Sequence, residues 1–155
     1  MPSVLVVDDD PAIRTMLVRA LGSIERLPLD IDEAKSGVEA LRQLSARKYD
    51  LVLLDVHMAG LDGRQVLRIV TSKDGLNRDT AFCVLTADGS EQTRSDALAN
   101  RAMMFVTKPL QIAKLLALVT PILKRAARLG APTPFEELVI EPEPPRDPTN
   151  RIVKR

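Results

Sequence analysis

The sequence predicts an α/β protein built on a parallel sheet, and three observations carry that reading. Five short apolar runs alternate with helical patterns, the order expected of successive βαβ units. The run Leu51-Val52-Leu53-Leu54 is unbroken in its apolarity, as befits a strand covered on both faces. Two of the runs pass directly into acids: Val4–Val7 into Asp8-Asp9-Asp10, and Leu51–Leu54 into Asp55. In an open parallel sheet, strand C-terminal ends share one rim, so these carboxylates converge there.

Each element has its own justification. The first strand spans about Ser3–Val7. Asp10 reads as an N-cap with Pro11 at the first helical position, where its missing N–H costs nothing. Ile13, Met16, Leu17, Ala20 and Leu21 follow at helical spacing, and Gly22 is a stop signal. Leu29–Ala34 alternates and suits a strand at the sheet edge. Ser36-Gly37-Val38-Glu39 is a capping box opening a helix expected to turn Val38, Leu41 and Leu44 inward. After the third strand, a helix from about Gly63 to Thr71 presents Val66, Leu67 and Val70. Ser72–Asp79 is a polar connection. The fourth strand, Ala81–Leu85, ends at Thr86, and a polar helix covers about Ser90–Ala99. Met103–Thr107 forms the fifth strand and precedes Lys108-Pro109. The final helix, about Leu110–Arg128, contains Pro121, so a kink is expected near Ala117.

Bulk properties bound the rest. A chain of 155 residues with 45% hydrophobic content supports one domain with length to spare. Basic and acidic residues number 22 and 21, leaving a formal charge of +1 and no basic excess for nucleic-acid binding. The single cysteine, Cys83, lies in an apolar run and reads as a small buried hydrophobe. No long apolar segment or basic leader is present, so a soluble cytoplasmic protein without a membrane partner is expected. From residue 130 the composition changes: Gly130–Arg155 holds six prolines, five acids and four bases. The chain is therefore divided into a domain over 1–129 and an extended, Pro-rich tail over 130–155. Only Phe135–Ile140 in the tail has the apolarity to order locally or to dock.

The rim residues define a chemistry. Like charges ~5 Å apart repel by roughly 3 kcal/mol at an effective dielectric near 20. Clustered carboxylates therefore hold protons or bind a cation, and Mg²⁺ suits an all-oxygen site that keeps waters for a phosphate donor. Lys108 adds a fixed positive charge and Thr86 a hydroxyl donor. Asp55 is then a nucleophile toward phosphorus, with Mg²⁺, Lys108 and Thr86 stabilising charge on the equatorial oxygens. Taken singly, each residue has a plainer explanation as a cap or turn; their order on successive strands gives the pattern its specificity.

Val-Leu-Val-Val-Asp-Asp-Asp, Leu-Leu-Asp-Val-His-Met-Ala-Gly-Leu-Asp-Gly, Val-Leu-Thr-Ala and Phe-Val-Thr-Lys-Pro together resemble the receiver domain of two-component response regulators, over about residues 3–128. The resemblance implies a flavodoxin-like, doubly wound sheet of order 2-1-3-4-5 with five helices. It makes Asp55 the phosphoacceptor, Asp9 a direct Mg²⁺ ligand, Asp8 a ligand through metal-bound water, and the backbone carbonyl of His57 a further ligand. It pairs Lys108 with the phosphoryl group, next to a cis bond to Pro109, and makes Thr86 and Phe105 the switch pair. By the same resemblance the chain is no conventional enzyme but catalyses its own Mg²⁺-dependent phosphorylation and autodephosphorylation. Its partners would be a histidine kinase or histidine phosphotransfer protein, and a downstream protein on the face of the fourth helix, fifth strand and fifth helix. A second copy of the chain is a further candidate partner.

Three positions depart from the family pattern. Ala59 stands where Pro is usual, Phe105 where Tyr is common, and Arg101 where Gly normally ends the fourth helix, which leaves Asn100 as the expected left-handed cap. His57 and Asp88, each two residues beyond a site residue, are expected to flank the path of an attacking water and tune dephosphorylation. No output domain follows residue 128, which favours a stand-alone receiver; a module excised from a larger regulator is the alternative. A phosphatase acting through aspartyl phosphate would want an acid where His57 stands. A flavodoxin would want a Ser/Thr/Gly-rich loop where acids follow the first strand.

Overall fold

The computed structural model describes residues 1–72 and 74–130. In chain order the elements are β1 (Ser3–Val7), α1 (Pro11–Gly22), β2 (Asp30–Ala34), α2 (Gly37–Ala46), β3 (Leu51–Asp55), α3 (Gly63–Ser72), β4 (Ala81–Thr86), α4 (Glu91–Ala99), β5 (Met104–Thr107) and α5 (Ile112–Gly130). All five strands are parallel, in the order β2-β1-β3-β4-β5. This is the doubly wound, flavodoxin-like arrangement that the sequence implied. Of the expected tail over 130–155, Gly130 ends α5 and residues 131–155 lie outside the described residues.

Side chains alternate across the sheet with period two, and each face packs its own helices. Leu5, Val7, Val52, Leu54, Phe82 and Val84 meet Ala40 and Leu44 of α2 and Val66 and Leu67 of α3. On the opposite face, Val4, Val6, Leu51, Leu53, Cys83 and Leu85 meet Leu17 and Leu21 of α1 and Leu115, Val119 and Leu123 of α5. Cys83 is buried as anticipated, and burial pushes its thiol pKa up to about 12, which removes it from thiolate chemistry.

Several local signals act as read, and two need correction. Asp10 caps α1 by accepting from the Ala12 amide at 2.9 Å, and Ser36 caps α2 by accepting from Glu39 at 3.1 Å. That cap sets the phase of α2 so that Gly37, Ala40 and Leu44 face the sheet; Val38, expected inside, is 58% exposed. Pro121 lies within α5, which is continuous over Ile112–Gly130. It and Ala117 both lie on the solvent face, where water can take the carbonyl bond that proline cannot.

The end of α4 differs from the expectation. The Asn100 amide donates to Asp96 O at 3.1 Å, and its side chain bonds the same carbonyl at 2.8 Å, which holds Asn100 out of the left-handed region. The left-handed turn falls one residue later, on Arg101 at φ 68°. Its guanidinium lies 3.4 Å from Asp79 in an exposed pair of little energetic weight. A non-glycine residue in this region costs about 1 kcal/mol. Arg101→Gly should therefore stabilise the domain by about that amount, raising the melting temperature by a few degrees in thermal unfolding; a lower melting temperature would contradict this account of the turn.

Candidate functional site

The register of the sheet assembles the site. Val7 pairs with Leu54 and Asp55 with Leu85, so Asp8, Asp55 and Thr86 leave three adjacent strands at one rim. Thr86 pairs with Thr107, and the Lys108 amide donates to Thr86 O at 2.7 Å, which aligns Lys108 with the same rim. The Lys108–Pro109 peptide is cis, as the resemblance implied.

Lys108 Nζ lies 3.1 Å from Asp8 Oδ2 and 3.1 Å from Asp55 Oδ1. Both carboxylates are almost fully buried, at 1% and 2% exposure, whereas Asp9 is exposed. Asp8, Asp9 and Asp55 each place a carboxylate oxygen within 4.8 Å of the others. One ammonium thus bonds two of three clustered carboxylates. Burial raises the Asp55 pKa, Asp8 raises it further, and Lys108 opposes both. Burial works against the charged form of Lys108, but Asp55 and Asp8 outweigh it and raise the Lys108 pKa. An oxygen-only cluster of this kind fits a hard divalent cation such as Mg²⁺, with waters completing the coordination.

The loop from Asp55 to α3 is held from both sides by close backbone packing. At Gly63 a Cβ would overlap the Asp55 carbonyl, and at Gly37 it would overlap the Leu61 carbonyl. The Gly63 amide closes the loop onto Val56 O at 3.0 Å. Asp62 and Gln65 cap α3 reciprocally: Gln65 N donates to Asp62 Oδ1 at 3.0 Å, and Asp62 N donates to Gln65 Oε1 at 2.9 Å. This second capping box stands openly in Asp62-Gly63-Arg64-Gln65 as an acid followed three residues on by Gln. It anchors a loop in which Ala59 replaces the usual proline.

Thr86 is fully buried, and its Oγ1 lies 3.2 Å from His57 Nε2 while accepting from the Asp88 amide at 3.0 Å. His57 is therefore joined to the Thr86 hydroxyl by its ring and to Asp55 Oδ1 by its amide at 3.4 Å. Asp88 is engaged elsewhere. Its Oδ1 accepts from Ser90 N at 2.9 Å and its Oδ2 from Thr93 Oγ1 at 2.7 Å, and Thr93 holds its pKa down. Asp88 thus organises the start of α4. Phe105 is half-buried against the α2/α3 side of the core. Arg14 was not anticipated: it donates to the Asp8 carbonyl at 2.7 Å and pairs with Glu33 at 3.4 Å, tying α1 to the acidic turn. Its only sequence signal is a base one turn beyond an acid triplet.

The raised Asp55 pKa fixes a sign. A carboxylate whose folded pKa lies above its unfolded value contributes stability below the unfolded pKa and loses it as pH rises through the folded pKa. In EDTA, Asp55→Asn should melt higher than the parent at neutral pH, and the difference should shrink toward about pH 4. A lower melting temperature for the variant at neutral pH would contradict this balance of charges.

Comparison with known proteins agrees with this geometry. The model of the response regulator receiver domain family matches residues 4–120. The transcriptional regulatory protein ResD of Bacillus subtilis is 34% identical over 140 residues, covering 88% of this chain and 55% of ResD. The chain spans about half the length of ResD and of the transcriptional regulatory protein PrrA of Mycobacterium tuberculosis. Among solved structures, the Francisella response regulator 1452 receiver domain superposes with a TM-score of 0.71 at 29% identity, covering 81% of this chain and 99% of that one. The response regulator TrrA of Thermotoga maritima, solved in complex with Mg²⁺-BeF, gives 0.67 at 32% identity, covering 79% and 99%. With its sheet order, its acidic rim and this family match, the chain belongs to the response regulator receiver domain family.

Proposed function

We propose that the chain takes a phosphoryl group onto the Asp55 carboxylate from a phosphohistidine donor, a histidine kinase or a histidine phosphotransfer protein. The observation that carries this reading is the buried Asp55 with Oδ1 held by Lys108 and by the His57 amide. Oδ2, which neither group engages, attacks phosphorus. The P–N bond to the donor imidazole breaks, and the imidazole leaves with the electron pair. No general base is required, because the attacking carboxylate carries no proton.

Lys108 remains beside the transferred group and opposes the charge that accumulates on its oxygens. Asp8, Asp9, Asp55 and the His57 carbonyl are the ligand set proposed for Mg²⁺, which when bound neutralises charge on both the carboxylates and the phosphoryl oxygens. The same groups support autophosphorylation from small phosphodonors and autodephosphorylation.

Thr86 and Phe105 form the proposed switch. For its hydroxyl to reach a phosphoryl oxygen, Thr86 exchanges its contact with His57, and the Phe105 ring moves inward against the core. The signal then passes to a partner protein on the α4-β5-α5 face. Leu98 of α4 and Leu118 of α5 are 51% and 40% exposed there, and Phe105 and Leu118 line one groove of about 290 Å³. Among the described residues no helix is long and apolar enough to cross a membrane.

Incubation with acetyl phosphate and Mg²⁺, read by intact mass, should add one phosphoryl group to the parent and none to Asp55→Asn. Absence of any Mg²⁺-dependent modification of the parent would overturn the proposal. His57 and Asp88 are proposed to set the lifetime of the phosphorylated state, His57 through its bond to Thr86 and Asp88 through the start of α4. His57→Ala and Asp88→Ala should still be phosphorylated, with decay rates changed several-fold. Decay identical to the parent in both variants would remove that role.

A further inference from the structure

At the opposite end of the sheet from Asp55, where strands begin, lies a groove of about 640 Å³ that phosphoryl chemistry does not use. Pro2, Tyr49, Ala81, Met103, Ile122 and Leu129 line it. Its rim collects three of the large apolar side chains the domain leaves in solvent: Met1 at 78%, Met103 at 59% and Leu129 at 76% exposure. Lys48 and Arg125 line it, and Lys124 and Arg128 stand on the same helix, α5, lining a separate groove with Glu25. Among the described residues none of these four bases makes an ion pair. The two acids of the groove are engaged elsewhere: Asp50 accepts from Ser3 at 2.8 Å, and Asp79 pairs with Arg101. The uncompensated charge around the groove is positive.

The sequence that follows has the complementary character. Helix α5 ends at Gly130, one residue after Leu129, so the chain leaves from the rim of the groove. Residues 131–145 contain Phe135, Leu138, Val139 and Ile140 and four glutamates, with no lysine or arginine. Four residues separate Gly130 from Phe135, a reach of up to ~17 Å over the five Cα–Cα steps. A tether of this length gives an effective concentration on the order of millimolar, so a contact of only millimolar intrinsic affinity is already about half made.

We propose that Phe135–Ile140 folds back onto this groove of its own domain, setting its apolar side chains beside Met103, Ile122 and Leu129, with Glu136 and Glu137 facing Lys48 and Arg125. The contact is independent of Asp55 and its chemistry. It covers an apolar surface that would otherwise invite association, and it fixes the C-terminal end of α5.

The methionine methyl groups of the full-length chain test this directly. Met1 and Met103 line the groove, whereas Met16 on α1 and Met58 beside the Asp55 loop lie outside its lining. In ¹³C-methyl NMR, Phe135→Ser/Leu138→Ser/Ile140→Ser should shift the Met1 and Met103 resonances and leave those of Met16 and Met58 in place. High salt should move the Met103 resonance of the parent part of the way toward its position in the variant. Unmoved Met1 and Met103 resonances would overturn the proposal, as would a shift of all four alike. A difference between parent and variant that disappears on dilution would also overturn it, assigning the groove to the tail of a second copy.

Discussion

Lys108 bridges Asp8 and Asp55, and the rest of the rim depends on that bridge. Two buried carboxylates side by side are tolerable only because an ammonium lies within hydrogen-bond distance of both. The arrangement needs β1 and β3 adjacent, with β4 and β5 continuing in order, so that Lys108 arrives from two strands beyond Asp55. It also leaves an imbalance, since Asp9 and one of the two buried carboxylates remain uncompensated. That residual negative charge suits the site to a divalent cation, and the bridging lysine suits it to a phosphoryl group. Fold and chemistry are therefore linked through one side chain.

The loop after Asp55 is the second constraint. Gly63 packs against the Asp55 carbonyl, and Gly37 packs against Leu61 from the start of α2. Asp55 is thus positioned by backbone contacts as much as by its strand. His57 sits within this loop and touches both Asp55 and the Thr86 hydroxyl. Any movement of Thr86 is therefore felt by the loop, and the reverse holds as well. His57 therefore couples Thr86 to the Asp55 loop directly, whereas the Asp88 side chain is spent on the start of α4.

Much of this was legible in the sequence, for a physical reason. Asp8, Asp55, Thr86 and Lys108 stand where apolar strands end, and a parallel sheet brings strand ends together without any need to know the helices. Capping boxes are similarly local, which is why Ser36 and Asp10 could be read correctly. Val38 misled because the helix phase is set by the cap and by the close approach of Gly37, not by which residue is most apolar. Arg101 misled because Asn100 uses its side chain to bond Asp96 O, so the left-handed turn falls one residue later. The His57–Thr86 contact joins residues 29 apart in sequence, and no local pattern announces it. The same is true of Arg14, whose partner is a backbone carbonyl.

Lys108 offsets carboxylate repulsion at a site whose oxygen cluster suits a divalent cation. Calorimetric titration of Mg²⁺ into the parent and into Lys108→Met tests this offset most directly. Removing a positive charge this close to the carboxylates should tighten Mg²⁺ binding by about tenfold or more, since each tenfold corresponds to ~1.4 kcal/mol and close charges interact by several. Mg²⁺ binding that is unchanged or weaker in Lys108→Met would contradict the account.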